Sequence, residues 1–364
     1  MLSSWSMEPD RPNGRFSVAR ITRAWYVACS SEELGGAPLA RTILGRPLVL
    51  FRDEAGSPGA LLDRCAHRNT PLSRGRAVDG RIECGYHGWR YNAAGDCTLV
   101  PGRCGAEPRP RLVPAFPARE RDGFVWVYAN SDSPPESEPF ALEPEGDGGT
   151  VRRTVEVKAP LHATIENALD VPHTAFLHRG LFRGNGTRNR VTAVVTRNAT
   201  SVQAEYVGEP RPGGWVGKIL APPGGVVTHV DRFVLPGIAQ VEYQWGGGAY
   251  FRITSICTPV EDDLTRMHAV IRFRTRLPGW LVKLVLDPLG TRIFRQDAEV
   301  LEMQAAAVRR FGGESYTSTE LDVLGAQIWR LLRRAERAET AAAGEGDDDR
   351  EPDAGWRREI QMEV

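Results

Sequence analysis

Two short cysteine and histidine segments constrain this 364-residue chain more than any other feature. Cys65 and His67 are separated by one residue, and Cys84 and His87 are separated by two. Sixteen residues lie between the two segments. Thiolates and imidazoles are metal donors, so four of them in two matched segments indicate a metal centre held by two loops.

Two cysteines and two histidines in this order match the ligands of a Rieske [2Fe-2S] centre, where the cysteines bind one iron and the histidines bind the other. Imidazole ligands remove negative charge from the cluster and raise its reduction potential above that of an all-cysteine ferredoxin. The alternative is a Cys2His2 zinc site. Zinc modules, however, usually pair cysteine with cysteine and histidine with histidine on short loops. The sequence therefore predicts an electron-transfer cluster.

A second group of polar residues follows in the order Asn167, Asp170, His173 and His178. Two imidazoles and one carboxylate on one face of an iron leave positions open for dioxygen and substrate. On an ideal helix, residues five apart point about 140° apart, so His173 and His178 can share a metal only where the helix is irregular. Pro172 and Gly180 suit the start and the end of a separate short segment. The alternative is a pair of unrelated histidines on a helix.

The stretch from Trp25 to Gly102 resembles the Rieske domain of the Rieske non-heme iron oxygenases. Respiratory-chain Rieske proteins resemble the pattern too, but they carry an additional cysteine near each half, and a disulfide between these cysteines braces the cluster. The corresponding positions here hold Thr70 and Tyr86, so no such brace can form. The resemblance implies a lower-potential cluster that a separate reductase supplies with electrons.

In the resembled family, the carboxylate ligand comes from a helix far downstream. Residues 294–304 resemble the Gln-Asp-x-x-Val-Leu-Glu-x-Gln helix of the pheophorbide and chlorophyllide oxygenase branch, and more loosely that of demethylating monooxygenases related to vanillate O-demethylase. The resemblance implies Asp297 as the third iron ligand, and Glu302 is the second choice because it also matches the pattern. Asp287 and Glu299 are further alternatives, as ordinary acidic residues on a solvated helix face.

Asp170 has a separate role by the same resemblance. The aspartate at this position bridges a histidine of the iron site and a Rieske histidine of the neighbouring subunit, in a head-to-tail ring of three subunits. Asp170 would then lie between His173 and His87, orienting both imidazoles and raising their basicity. Asn167, at the family's spacing, is grouped with it as a catalytic residue. The alternative role for Asp170 is a helix cap, and both roles are compatible.

The pattern along the chain predicts an α+β fold with two domains. Short apolar runs over residues 16–130 predict an all-β Rieske [2Fe-2S] domain. Residues 131–150, rich in Pro, Glu, Ser and Gly, are expected to be a linker. For residues 151–338 the resemblance implies a helix-grip catalytic domain, in which helices flank an antiparallel sheet. Residues 339–364 are expected to be a disordered acidic tail.

Within the second domain, alternating patterns predict strands over residues 201–207, 226–235, 238–243 and 250–258. His268 lies in a further alternating run and is expected on its solvated face. Four aromatic residues are candidates for the walls of a substrate pocket, or equally for ordinary sheet core: Phe233, Trp245, Tyr250 and Phe251.

Composition excludes several classes of function. The formal net charge is zero and no basic stripe is visible, so we expect no nucleic-acid partner. No secretory signal is evident, and the most apolar stretch, residues 277–289, is short and interrupted by charge and proline. We therefore expect a cytoplasmic protein without an integral membrane segment. No Gly-x-Gly-x-x-Gly follows a strand, so NAD(P)H must be oxidised by a separate reductase, with or without a ferredoxin.

These features together predict the terminal oxygenase component of a multi-component system, with one [2Fe-2S] cluster and one mononuclear Fe(II) per chain. Its expected reaction is the hydroxylation, demethylation or desaturation of a hydrophobic cyclic substrate with dioxygen, and the resemblance implies a homotrimer. One alternative is the α subunit of a ring cis-dihydroxylating dioxygenase. The other is a non-catalytic Rieske electron carrier with a ligand-binding domain.

Overall fold

The structure is a computed structural model that describes residues 15–102, 112–144, 148–178, 190–209, 227–341 and 356–363. The chain divides into two compact units. The first contains Arg20–Glu143 and Thr258–Glu261, and the second contains Pro12–Ala19, Pro144–Cys257 and Asp262–Val364. An α+β fold with an all-β N-terminal part, as the sequence predicts, is confirmed.

The first unit holds three small antiparallel sheets. Their strands are β1 (Trp25–Ser30), β2 (Leu39–Ile43), β3 (Arg46–Arg52), β4 (Pro58–Leu62), β5 (Arg76–Val78), β6 (Arg81–Glu83), β7 (Arg90–Tyr91), β8 (Cys97–Leu99), β9 (Ala115–Phe116), β10 (Ala118–Arg121) and β11 (Phe124–Tyr128). The sheet orders are β1-β11-β10, β2-β3-β4-β9 and β5-β6-β7-β8. A single 3-10 turn, Leu72–Arg74, precedes β5.

Tight hairpins make these short strands possible. Leu44-Gly45, Asp79-Gly80 and Asp122-Gly123 each join two neighbouring strands, and both residues of every pair have positive φ. Consecutive positive φ angles give the type I′ turn, whose twist matches that of the flanking strands. At Gly80 a Cβ would lie 2.1 Å from the backbone nitrogen of Glu54, so glycine is required there for space as well as for conformation.

The second unit is one eight-stranded antiparallel sheet with helices. Its strands are β12 (Gly149–Val157), β13 (Arg190–Arg197), β14 (Ser201–Val207), β15 (Thr228–Val234), β16 (Ile238–Trp245), β17 (Ala249–Glu261), β18 (Leu264–Arg274) and β19 (Trp356–Glu363). The sheet order is β12-β18-β17-β16-β15-β14-β13-β19. The helices are α1 (Leu161–Ala168), α2 (Thr174–Leu177), α3 (Gly279–Phe311) and α4 (Gly325–Ala341), and Gly246–Gly248 form a 3-10 turn.

Apolar packing fixes α1 and α3 against the edge strand β12. Val157, Ala159, Ala163 and Leu301 are buried together, with further apolar side chains of β12 and α3 around them. Truncation of a buried leucine such as Leu301 to alanine costs about 2–5 kcal/mol. This cluster determines which face of α3 turns inward, and that face carries Asp297.

Three details of the second unit differ from the sequence-based expectations. His268 is only 1% exposed, because both faces of β18 are covered, and it lies 2.9 Å from the Thr154 hydroxyl. Tyr250 lies on the face of β17 opposite to Phe251, since neighbouring strand residues alternate in direction. Residues 356–363, expected to be disordered, form β19 and pair with β13, so disorder is wrong for them. Residues 342–355 lie outside the described part of the chain.

The segment 131–144 also carries more contacts than its composition suggested. The Trp25 indole donates to the carbonyl oxygen of Ser137 over 2.7 Å, and the backbone nitrogen of Leu142 donates to Asp122 over 2.8 Å. Leu142 itself is buried. These contacts place residues up to Glu143 with the first unit.

Candidate metal centres

The two cysteine loops of the first unit have the same local geometry. In each, the backbone nitrogen of the residue four positions after the cysteine donates to the cysteine carbonyl over 3.0 Å, and that residue has positive φ. The residues are Asn69 in the first loop and Gly88 in the second. Both tolerate the left-handed conformation better than other residues do. The repeated turn brings each cysteine and its histidine to the same side of their loop.

The four predicted cluster ligands come together in the fold. Cys65 and Cys84 are buried, and the rings of His67 and His87 lie 4.6 Å apart between centroids. Two thiols and two imidazoles brought together in this way fit the ligand set of a two-iron cluster, with the cysteines on one iron and the histidines on the other.

Hydrogen bonds surround the two cysteine sulfurs. The Tyr91 hydroxyl lies 3.3 Å from Cys65 Sγ. Burial raises the pKa of the Cys84 thiol, against backbone hydrogen bonds from Tyr86 and His87 that lower it. Donors directed at a sulfur stabilise negative charge there, which is what thiolate ligands of a cluster require. The two cysteine loops of the first unit therefore fit the [2Fe-2S] cluster that their sequence predicts.

The predicted iron ligands of the second unit also converge. His173, His178 and Asp297 offer ligand atoms within 4.8 Å of one another, and they are the one such group among the described residues. Asp297 Oδ1 lies 3.1 Å from His178 Nε2 and 3.5 Å from His173 Nε2. Asp297 Oδ1 is buried and accepts no hydrogen bond of acceptable geometry. Two imidazole nitrogens and an oxygen directed at a common point fit a facial iron site.

The expected break in the histidine segment is confirmed. α1 ends at Ala168, and α2 is a separate single turn that begins at Thr174. His173 and His178 therefore flank α2, one on each side, and their rings lie 5.2 Å apart between centroids. Gly180, expected to end this segment, lies outside the described residues.

Helical periodicity explains why Asp297 is the acidic residue that turns inward. The buried positions of α3 include Gly290, Phe294, Leu301 and Ala305, and Asp297 lies in register between the second and third of these. The other three acidic candidates lie elsewhere on the helix and pair with cations. These pairs are Asp287 with Arg153 at 2.5 Å, Glu299 with Arg295 at 3.3 Å and Glu302 with Lys158 at 2.7 Å.

Two polar side chains hold the histidine rings from behind. Asp170 Oδ2 lies 3.3 Å from His173 Nδ1 and also accepts a hydrogen bond from the His173 backbone nitrogen over 3.2 Å. The same carboxylate thus contacts the ring and caps the turn. Gln296 Oε1 lies 3.1 Å from His178 Nδ1. Gln296 thus engages Nδ1 of His178, the Asp170 carboxylate lies beside Nδ1 of His173, and Nε2 of both rings faces Asp297. A partner at Nδ1 sets the tautomer of a histidine that binds a metal through Nε2.

Gln296 is a site residue that the sequence analysis did not assign. It is part of the Gln-Asp pair that led to Asp297, so the signal was present in the matched pattern.

The site is electronegative. Burial alone would lower the pKa of His173, but Asp170 and Asp297 raise it to about 9. Burial alone would raise the pKa of Asp297, but the two imidazoles hold it below its ordinary value. A pocket that favours imidazolium in this way attracts positive charge. A divalent cation neutralises its negative charge more completely than a single proton does.

A cavity of about 440 Å³, lined by polar and apolar side chains in similar measure, adjoins the site within the second unit. Asn167, Glu166 and Asp170 line it from the α1 side, and Tyr206 lines it from β14. Asn167 is therefore beside Asp170, as its spacing implied, and its carbonyl accepts a hydrogen bond from the Asp170 backbone nitrogen over 3.3 Å. The three converging ligands themselves do not line this cavity.

Comparisons with known proteins agree with this architecture. The Rieske [2Fe-2S] domain family matches residues 24–117, and the vanillate O-demethylase oxygenase C-terminal domain family matches residues 157–338. The oxygenase component of chloroacetanilide N-alkylformylase from Rhizorhabdus wittichii is 30% identical over 345 residues, which cover 89% of this chain and 97% of the relative. The chain belongs to the Rieske non-heme iron oxygenases, a family of oxidoreductases that contain a [2Fe-2S] cluster and a mononuclear iron.

Two further similarities are informative. Chlorophyllide a oxygenase of Chlamydomonas reinhardtii is 41% identical over 162 residues, which cover 43% of this chain but only 24% of the longer relative. The crystal structure of dicamba monooxygenase bound to 3,6-dichlorosalicylic acid superposes with a TM-score of 0.74 and 25% identity, covering 89% of this chain and all of that one. In the described part of the chain, no helix is both long and apolar enough to span a membrane.

Proposed function

We propose that this chain is the terminal oxygenase component of a multi-component monooxygenase. It uses dioxygen, and electrons from a separate NAD(P)H reductase or ferredoxin, to hydroxylate, demethylate or desaturate a hydrophobic cyclic substrate. The observation that carries the proposal is the convergence of His173, His178 and Asp297 in a chain that also has a Rieske domain. The match of residues 157–338 to the vanillate O-demethylase C-terminal domain favours demethylation within this range.

Each ligand has an assigned role. Cys65 and Cys84 hold one iron of the cluster, and His67 and His87 hold the other. His173, His178 and Asp297 hold the mononuclear iron through Nε2, Nε2 and Oδ1. The first set belongs to the Rieske domain, expected over residues 16–130, and the second to the catalytic domain, expected over residues 151–338; within the expected linker 131–150, residues up to Glu143 lie with the first unit. When bound, the two groups supply one-electron transfer and the activation of dioxygen.

The protein side chains keep this centre in a competent geometry. Gln296 holds Nδ1 of His178, and the Asp170 carboxylate lies beside Nδ1 of His173, so both Nε2 atoms stay directed at one point. The packing of α3 on β12 holds Asp297 on the inward face. Phe233, Trp245 and Phe251 share one face of the sheet and form apolar walls, while Tyr250 is on the other face and is excluded from them.

The functional assembly is a homotrimer in which Asp170 links His173 to the cluster ligand His87 of the neighbouring copy. Charge supports this arrangement. Exposed Arg68 and Arg74 lie beside the first cluster loop, whereas Glu166, Asp170 and Asp322 line the cavity of the second unit. Opposite charge on two surfaces of one chain favours head-to-tail contact between copies. The location is cytoplasmic, in keeping with Cys257 as a buried thiol outside any disulfide.

The test is turnover of a panel of aryl methyl ethers, including vanillate and dicamba, by the purified chain with a surrogate reductase. Hydroxylation places one atom of labelled dioxygen in the product. In demethylation the inserted oxygen leaves with the methyl carbon as formaldehyde, and the phenol keeps the oxygen of the ether. Two labelled atoms in a cis-diol would instead identify a ring dioxygenase. Iron content discriminates further, because an oxygenase holds three irons per chain and an electron carrier two. A chain with two irons and no product from any compound would refute the proposal.

A further inference from the structure

A group of buried ionisable side chains lies on the sheet of the second unit, apart from the converging iron ligands. His229 Nδ1 is 2.5 Å from Glu209 Oε2, and His229 Nε2 is 2.9 Å from Asp231 Oδ1. Burial raises the pKa of Asp231, and the Tyr206 side chain, as a hydrogen-bond partner, is among the groups that lower it. His229 and Asp231 are each 1% exposed. The four groups thus form one hydrogen-bonded chain in the order Glu209, His229, Asp231, Tyr206.

The apolar surroundings of these four side chains make their burial unfavourable in free energy. His229, Asp231 and Phe233 alternate along β15 and share its buried face, where their neighbours on β14 and β16 are apolar or aromatic. Desolvating two charged groups costs several kcal/mol per ion, and well-packed apolar residues of similar size would often be at least as stable. Clusters of this kind occur preferentially at functional sites.

Aromatic rings hold the imidazole flat between them. Tyr206 stacks on His229 at 4.6 Å and 24°, and Tyr243 stacks on the other side at 4.0 Å and 16°. The faces of aromatic rings attract a cation, so the sandwich favours imidazolium. Burial alone would lower the pKa of His229, but Asp231 and Glu209 raise it to about 9. A proton is therefore held inside the sheet at neutral pH.

The two ends of this hydrogen-bonded group differ, because the Tyr206 end opens on the cavity beside the predicted iron site. Tyr206 lines the cavity of about 440 Å³ together with Asn167 and Asp170. Asp170 in turn contacts the ring of His173. A cavity of this size and polarity has room for several waters. At the other end, the carboxylate of Glu209 follows the last residue of β14 by two positions, and its side chain is 8% exposed.

We propose that Glu209, His229, Asp231 and Tyr206 are a proton relay that supplies the cavity beside Asp170 during dioxygen reduction. This inference rests on the proposed function, because monooxygenation converts a substrate C–H bond, dioxygen, two electrons and two protons into C–OH and water. His229 passes its Nε2 proton to Asp231, and Asp231 passes one to the Tyr206 oxygen as the Tyr206 hydroxyl proton moves into the cavity. His229 keeps its Nδ1 proton, which it donates to the Glu209 carboxylate, and it regains a proton on Nε2 by the reverse path from the cavity between turnovers. No electron moves through the relay.

The most informative variant is Tyr206→Phe, which keeps the stacked ring and removes only the hydroxyl at the cavity end. Tyr243→Phe is the matched control, because it removes a tyrosine hydroxyl from the opposite face of the same imidazole. With a substrate from the aryl ether panel, dioxygen-driven turnover of Tyr206→Phe is expected to fall at least tenfold, with a larger solvent deuterium isotope effect. General acid catalysis typically contributes more than this.

Turnover driven by hydrogen peroxide distinguishes a defect in proton supply from a structural defect of the variant. Peroxide and a substrate C–H give C–OH and water without added protons or electrons. Peroxide-driven turnover of Tyr206→Phe is therefore expected to stay within twofold of the wild type. A parallel loss of both activities would assign Tyr206 a structural role, and identical behaviour of Tyr206→Phe and Tyr243→Phe would remove it from the reaction. Either result overturns the relay.

A further measurement needs no substrate, so it separates failure of the relay from failure of the proposed function. Dioxygen reoxidises the reduced cluster in a reaction that consumes two protons for every two electrons. Its rate, followed by the electron paramagnetic resonance signal of the reduced cluster, should fall at least tenfold in Tyr206→Phe and not in Tyr243→Phe. In histidine-labelled full-length protein, the NMR titration of His229 should shift in Tyr206→Phe alone. Unchanged reoxidation would overturn the relay even if no substrate were found.

Discussion

The predicted cluster ligands of the first unit and the predicted iron ligands of the second both come together in the fold, but they do so over different distances in the chain. All four predicted cluster ligands lie between Cys65 and His87, on two loops with the same turn. The triad joins a broken helix at His173 and His178 to Asp297, which lies on a long helix after six further strands of the sheet. Short-range turns build the first site, whereas the second exists only after the sheet has closed.

This difference has energetic consequences. A loop ligand of the first unit depends on hydrogen bonds within a few residues of it, such as that from the Cys65 backbone nitrogen to the Thr70 carbonyl over 2.9 Å. A triad ligand depends on the packing of α3 on β12 and on the register of the sheet. We therefore expect changes in the core of the second unit to disturb iron binding from a distance, and changes in the first unit to act locally.

The largest expected effect is the selective loss of one metal centre while the other is kept. Asp297→Ala should abolish product formation, by more than about 100-fold, because it removes the only carboxylate ligand of the triad. Iron should fall from three per chain to two while the spectrum of the reduced cluster is unchanged. Cys84→Ser is the reciprocal variant and should lose the cluster while keeping the mononuclear iron. Loss of all iron in either variant would show that the centres are not independent.

Glu302→Gln is the matched control for Asp297→Ala. Glu302 lies on the same helix and is paired at the surface with Lys158. The variant should retain three irons and near wild-type turnover. If Glu302→Gln lost the mononuclear iron and Asp297→Ala kept it, the assignment of the carboxylate ligand would be reversed.

Asp170→Asn tests whether the two metal centres are coupled through Asp170. It keeps the shape and the cap of the turn but removes the charge behind His173. Both metals should stay bound and the cluster should remain reducible, while product formation falls about 10- to 100-fold. Iron analysis, dithionite titration and product yield measure the three quantities. Undiminished turnover would exclude a role for Asp170 in coupling the centres.

The buried His229 gives the second unit a distinctive pH dependence of stability. Its pKa is raised from the ordinary 6.5 to about 9, so its contribution is complete below about pH 6.5 and is lost as the pH rises through about 9. The contribution is at most about 3 kcal/mol, since the ionisation of Asp231, whose pKa burial raises, offsets part of it. Urea unfolding between pH 6.5 and 9.5 should show this loss in the wild type. The loss should be absent in His229→Gln.

The smallest expected effect belongs to the first unit. Tyr91→Phe removes the hydroxyl that lies 3.3 Å from Cys65 Sγ. A donor at a cluster sulfur stabilises the reduced, more negative state, so its loss should lower the reduction potential. A hydrogen bond of about 1 kcal/mol corresponds to roughly 40 mV for one electron. Redox titration followed by the cluster signal measures the shift, and a higher potential would contradict the assigned donor direction.

The sequence determined those features that depend on a few neighbouring residues. The two cluster segments, the break before His173 and the strand at Ser201–Val207 follow from local spacing and periodicity. The matched Gln-Asp pattern implies Asp297, and the helical register of Phe294 and Leu301 explains why it faces inward. Such features are predictable because turns and helices are fixed by contacts within one or two turns of chain.

Only the tertiary structure decided the features that join distant strands. The pairing of β19 with β13 recovers residues that composition alone assigns to a disordered tail, because a strand edge supplies hydrogen bonds that no local pattern records. His268 became buried because both faces of β18 are covered. Glu209 and Asp231 meet His229 only because β14 and β15 pair in one register, and a shift of one residue would turn these side chains to the opposite face.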